Sequence, residues 1–217
     1  MLADKLRACK TLMCEVAINK DAVEENEREA ARNKVFFDMY GELKAALMTF
    51  IIGRTLLDFH PSEQLMTLIE DALQETRNIF EAQKVVEPYK YRDLAQKCIK
   101  NIHEEWISYS AVYAEGAIND LEIIRMLGVK KGDINGILRK LRACQTWPMS
   151  EEIARDCRKA KEDAKVLLSE MHFDMHVSVF LKKVKSNTAT LLDLTPEILE
   201  WIDQEQLAGR ITLKIQV

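Results

Sequence analysis

Four groups of residues in this 217-residue chain are of types that do chemistry. The densest is the cationic run Lys130, Lys131, Arg139, Lys140 and Arg142. Within residues 129–147 only Asp133 opposes it, a local charge of +4 in a chain whose formal total is -4. Cations at that density favour phosphate, because each contact releases a counterion condensed on a nucleic-acid backbone. Asn135, Arg139 and Arg142 are candidates for base or phosphate contact and Lys130 and Lys131 for phosphate alone, with Lys140 in the same patch. His172 and His176 stand one helical turn apart or, in an extended backbone, share one face with Asp174. Two imidazoles fall short of the four ligands of a closed zinc site, so no metal and no cofactor is expected. Arg54 and His60 form a third group. The fourth is five cysteines, Cys9, Cys14, Cys98, Cys144 and Cys157, an odd number without a CxxC pair, which reads as reduced thiols in a cytoplasmic protein. No GxxxxGK[ST], GxGxxG, HExxH, GxSxG or paired-carboxylate motif is present. Nucleotide hydrolysis, hydride transfer and zinc proteolysis therefore lack support, and no catalytic residue is assigned.

Residues 120–141 resemble a helix-turn-helix motif: Gly128 stands at the turn glycine, Leu127 and Val129 flank it, and Ile134 and Ile137 take the buried positions of the second helix. The resemblance implies DNA or RNA as partner, read from the second helix. Ile124 stands where the motif carries a small residue, which would push the two helices apart, and Gly136 weakens the second helix by about 1 kcal/mol relative to alanine. A plain helical hairpin with solvated lysines is the alternative. The segment Arg54-Thr-Leu-Leu-Asp-Phe-His60 resembles the spaced arginine and histidine of HEPN ribonucleases, helical proteins in which the pair meets across a dimer to cleave RNA. A helix start at Pro61 accounts for His60 otherwise.

These groups need elements to hold them. No proline precedes Pro61 and no glycine precedes Gly41, so one or two long helices are expected over the first sixty residues. Leu2, Leu6, Cys9, Met13 and Val16 begin a seam that weakens at Lys20, Glu27 and Lys34. It resumes in a shifted register at Phe36, Met39, Leu43, Ala46, Phe50, Gly53 and Leu57. The charged stretch 20–34 reads as a solvated helix face. His60-Pro61 opens a helix to about Lys84 whose expected buried face is Leu65, Ile69, Ala72, Leu73, Thr76 and Phe80. A long helix from about Tyr91 to Gly128 buries Leu94, Cys98, Ile102, Trp106, Tyr109, Tyr113, Ala117, Leu121 and Ile124. Shorter helices follow from Asp133, from Ser150 and from Thr195-Pro196, the last burying Ile198, Leu199 and Ile202. In the tail, Ile211, Leu213, Ile215 and Val217 alternate with polar residues, the period of a half-buried strand. Such a strand needs a partner from 173–180, from 188–194 or from another chain.

The expected fold is all-α: an elongated multi-helix bundle with long N-terminal helices and a short C-terminal β-strand. Long helices occupy 1–128, shorter ones 129–185, and a small cap with the strand 186–217. The uncharged run 45–53 is far below the ~20 apolar residues of a membrane span. The expected function is a non-enzymatic adaptor or assembly subunit that binds another protein chain or itself. It would do so through its apolar helix stripes and through Ile211, Leu213, Ile215 and Val217. A helix-turn-helix nucleic-acid-binding protein is the alternative and a HEPN-like ribonuclease the third reading.

Overall fold

The computed structural model describes residues 2–128 and 132–210, and of residues 2–12 and 16 the backbone only. Seven α-helices make up the described residues: α1 Leu2–Leu56, α2 Glu63–Ala82, α3 Pro88–Met126, α4 Ile134–Arg142, α5 Glu151–Glu170, α6 Met175–Lys185 and α7 Pro196–Gln204. Two single 3-10 turns, Ala143–Gln145 and Leu191–Asp193, complete them, and no strand occurs among the described residues. The expected strand residues Ile211, Leu213, Ile215 and Val217 lie outside them, as do Lys130 and Lys131. No helix is long and apolar enough to cross a membrane among the described residues.

Two compact units are formed. The first comprises Met1–Leu47 and Pro61–His103, the second Met48–His60 and Glu104–Val217, so the stretch 1–128 contributes to both. In the first unit, Phe36, Leu43 and Ala46 of α1 are buried, as are Leu65, Ile69 and Ala72 of α2 and Tyr91, Ala95, Cys98 and Ile102 of α3. The rings of Phe36 and Tyr91 stand 4.8 Å apart. Thr76 turns its hydroxyl to the Ala72 carbonyl at 2.7 Å and shares a hydrogen bond with the Tyr91 hydroxyl, which satisfies both polar groups in the core. Leu73 and Phe80, expected inside, are each 48% exposed, because the helical stripe is narrower than the run of apolar residues.

In the second unit, Gly53 lets the last turns of α1 approach the indole of Trp106: a Cβ on Gly53 would lie 2.8 Å from that ring. Phe59 stands edge-on to the indole and Phe50 edge-on to Phe59, and Leu57 is buried in the same unit. The Tyr109 hydroxyl donates to the Leu57 carbonyl at the end of α1, and Thr49 accepts the backbone N–H of Met149 at 2.9 Å. Leu121, Ile124, Ile134, Leu138 and Leu141 form one cluster with Ala160, Ala164, Leu167 and Met171 of α5 and its C-cap. A second gathers Ile123, Phe180, Leu181, Ile198, Trp201 and Leu207. Neither segment expected to pair with a C-terminal strand is itself a strand. Residues 175–180 are the start of α6, capped by the Asp174 carboxylate on the Val177 N–H, and 190–193 close as a turn through a Thr190–Asp193 capping box. Leu199, expected buried, is 51% exposed.

Asp193 accepts from the Thr190 N–H at 2.8 Å, from the Thr190 hydroxyl at 2.9 Å and from the Lys183 ammonium. The lysine hydrogen bond above all, then those from Thr190, hold its carboxyl down at about 2. A depressed carboxyl contributes stability above its unfolded value and loses it as pH falls through the folded one. Urea melts of the wild type and Asp193→Asn are expected to differ at neutral pH and to converge between about pH 4 and pH 2. Curves that stay parallel over that interval would rule the turn out as a source of acid sensitivity.

Candidate functional site

The cationic segment folds as the start signals direct. Asp133 caps α4 by accepting the Gly136 N–H at 2.9 Å, and a Cβ on Gly136 would collide with that carboxylate, so this position favours glycine. Ile134, Leu138 and Leu141 face the core, which turns Asn135, Arg139 and Arg142 outward at i, i+4 and i+7 on one exposed face. Two cations of the segment are engaged. Arg142 binds Glu122 of α3 at 2.6 Å, and Lys140 binds Asp156 of α5 at 3.2 Å. Arg139 makes no ion pair among the described residues. Lys182 and Lys185 of α6 lean on the same acidic turn of α3, at 3.6 Å from Asp120 and 4.0 Å from Glu122. The local +4 of the sequence is thus partly neutralised by acids that lie far from it in the chain.

The connection between α3 and α4 departs from a helix-turn-helix. The first helix is the end of a 39-residue one, and seven residues, 127–133, separate it from α4, where the motif uses three or four. Ile124 does not push the helices apart: it is fully buried in one cluster with Ile134, Leu138 and Leu141. Gly128 adopts φ +68° after α3, the left-handed conformation of a C-terminal cap. Arg210 donates to the Leu127 carbonyl at 2.7 Å, supplying a cation at that helix end.

Arg54 and His60 are both exposed. Arg54 stands over the Phe50 ring at 5.7 Å and His60 precedes the Ser62 cap of α2. The histidine pair adopts neither expected geometry. His172 sits at φ +50° in the turn after α5, His176 lies inside α6, and the intervening Asp174 is spent on the α6 cap. They line a depression of about 220 Å³ with Glu197 and Glu200. No group of three or more possible ligands comes within metal-holding range among the described residues.

A constellation missed in the sequence is the pairing of Cys144 with Cys157 under Lys161 and Tyr113. The Lys161 ammonium sits 3.6 Å from the Tyr113 ring centroid, and the Cys157 thiol donates to the Lys140 carbonyl at 3.2 Å. A hydrogen bond to Cys157 and burial push the Cys144 thiol up, and burial pushes Tyr113 up to about 12. Burial lowers Lys161. The same Cys144–Cys157 hydrogen bond lowers Cys157, against the effect of its burial, and full burial keeps both thiols of the α4–α5 junction away from solvent. Twelve residues separate the two cysteines, and nothing in that spacing reveals the pair. Cys98, buried in the other unit, is raised to about 11 by burial, whereas Cys14 is exposed. Alkylation of native protein at pH 8 is expected to modify Cys14 while Cys98, Cys144 and Cys157 stay unmodified until denaturant is added. Peptide mass spectrometry reads the difference, and rapid native labelling of Cys144 or Cys157 would contradict the packing described.

A long stretch of α1 is without packing among the described residues. From Met13 to Ala31 every described side chain except that of Glu24 is exposed, including Met13 at 74%, Ile18 at 67% and Val23 at 56%. By contrast, the stripes expected as docking surfaces are consumed internally: Phe36, Leu43, Phe50 and Leu57 are buried, and so are Ile102, Trp106, Leu121 and Ile124. No protein-family profile, curated protein or solved structure matches the chain.

Proposed function

We propose that the chain is a non-enzymatic assembly subunit that engages another protein chain, or a second copy of itself, through the N-terminal length of α1. The strand-like residues Ile211, Leu213, Ile215 and Val217 are a second attachment point in this reading. The observation that carries it is the exposure of α1 from Met13 to Ala31. The local support for that stretch comes from surface ion pairs such as Lys20–Glu24, Arg28–Glu24 and Arg32–Glu25. Each contributes only a few tenths of a kcal/mol, and a helix of this length without packing is marginal. A partner surface would supply burial that this stretch lacks, that of Val23 included. Full-length protein and a chain beginning at Val35 are compared by sedimentation and by recovery of co-purifying protein from the native host. The shortened chain, still melting cooperatively, is expected to lose its partner. Equal mass and equal recovery would overturn the reading.

A second reading has one observation in its favour, the shared exposed face of Asn135, Arg139 and Arg142. That face could lie along a nucleic-acid backbone, with the exposed Arg142–Glu122 pair giving way because such pairs contribute at most about 1 kcal/mol. Retention on heparin or DNA is then expected to show a salt slope reduced by about two in Arg139→Ala/Arg142→Ala, since each arginine removed leaves one phosphate with its counterion still bound. Retention unaffected by the double substitution would dismiss this face.

A further inference from the structure

The exposed length of α1 carries a second repeat, which shares Cys9, Val16, Val23 and Ala30 with the seam that weakens at Lys20, Glu27 and Lys34 but steps onto asparagines in place of those charges. Asn19, Asn26 and Asn33 recur at intervals of seven, and Val23, Ala30 and Phe37 follow them by four in each case. Alternating steps of four and three place all six on one stripe of a helix. Val23 and Phe37 are more than half exposed, Asn19, Asn26 and Ala30 are exposed, and Asn33 is half-buried. The same spacing continues backward through Val16, Leu12 and Cys9. It closes at Tyr40, whose ring packs 5.4 Å from Phe80 of its own chain.

The flanking residues say what covers this stripe. With Val16, Val23 and Ala30 as a positions and the asparagines as d positions, the g positions are Glu15, Ala22 and Glu29 and the e positions are Lys20, Glu27 and Lys34. In a parallel pair each g residue faces the e residue five places later on the other chain, so Glu15 meets Lys20 and Glu29 meets Lys34. In an antiparallel pair g would face g, bringing Glu15 against Glu29 in both halves. Charge therefore favours two parallel copies. The asparagines set the stagger. Each can hydrogen-bond its own counterpart across the seam only when the copies are in register, and a half-heptad slip would bury an amide against valine without a partner. A whole-heptad slip would again set asparagine on asparagine, but it brings Glu15 and Glu29 against Glu27 and is opposed by charge. The asparagine layers weaken the pair, so association depends on concentration.

We propose that two copies of this chain pair in parallel and in register along α1 from about Cys9 to Phe37. The proposal rests on the assembly reading above and names its partner as a second copy. Sedimentation of the full chain is expected to show a concentration-dependent dimer. Glu15→Lys/Glu29→Lys and Lys20→Glu/Lys34→Glu should each be monomeric, and an equimolar mixture of the two should recover the dimer mass. In a Cys9→Ser/Cys14→Ser background, Asn26→Cys should form a disulfide-linked dimer with diamide, the two thiols giving two protons and two electrons to the reagent. A wild-type monomer at every concentration, a mixture that stays monomeric or a dimer in which Asn26→Cys remains unlinked would overturn the proposal. Should the wild type be monomeric while the chain beginning at Val35 loses a different partner, self-pairing fails and the assembly reading stands. Should neither loss occur, both fail.

Discussion

Replacing Trp106 with alanine is expected to lower the free energy of unfolding by about 3–5 kcal/mol, read from urea melts. The indole is fully buried, edge-on to Phe59 at 5.8 Å and seated against the bare backbone of Gly53. Nothing in this tightly packed site can refill the volume. The matching substitution from the other side is Gly53→Ala. Alanine improves helix propensity by about 1 kcal/mol, but its methyl would stand 2.8 Å from the indole edge, and overpacking of that kind costs about 1–3 kcal/mol. Destabilisation is expected to win, because the atom in the way belongs to a rigid ring and not to a flexible chain end. In Gly53→Ala/Trp106→Phe the smaller ring should recover part of the loss, a non-additive outcome that two independent sites would not give. A Gly53→Ala protein as stable as the wild type would show that α1 does not approach Trp106 this closely.

Trp201→Ala is expected to cost a similar ~3–5 kcal/mol, and the informative comparison is with phenylalanine. Trp201 is buried among Ile198, Ile202 and Leu207, with Phe173 edge-on at 6.2 Å, and its Nε1–H donates to the Met171 carbonyl at 2.8 Å. Trp106 is as deeply buried, yet its Nε1–H finds no acceptor among the described residues. Trp201→Phe should therefore lose the ring area and also leave a buried carbonyl short of a donor, about 1–3 kcal/mol beyond the packing loss. Trp106→Phe loses similar area but removes an orphaned donor whose burial already costs about that much. The same substitution is expected to be clearly destabilising at 201 and close to neutral at 106. Equal effects in the two urea melts would mean that the Met171 hydrogen bond contributes nothing.

Helix content was legible because the signals are local. The first sixty residues free of proline, the stripe Phe36 to Leu57, the caps Ser150 and Thr195, and Pro196 at a first turn act through neighbours a few residues away, and each stands where the spacing puts it, whereas α2 opens at Glu63 on the Ser62 cap and not at Pro61. Helix ends were less legible. Gly128 ends α3 as a glycine should, but α1, α2, α5, α6 and α7 end with Asp58, Gln83, His172, Asn187 and Gln206 in the left-handed conformation, which no residue type announces. The His172–His176 geometry was missed for that reason.

Charge and burial were decided by tertiary structure. Local spacing turns Asn135, Arg139 and Arg142 to one face. Whether Arg142 is free depends on Glu122, twenty residues away on another helix, and whether Lys140 is free depends on Asp156. Likewise the stripes of α1 and α3 announce that they need cover, but only packing shows that Phe36, Leu43, Phe50, Leu57, Ile102, Trp106, Leu121 and Ile124 find it within the chain while the length from Met13 to Ala31 stays exposed. Periodicity is a property of one helix and can be read along it. Burial and ion pairing are properties of two, and become definite only when the elements meet.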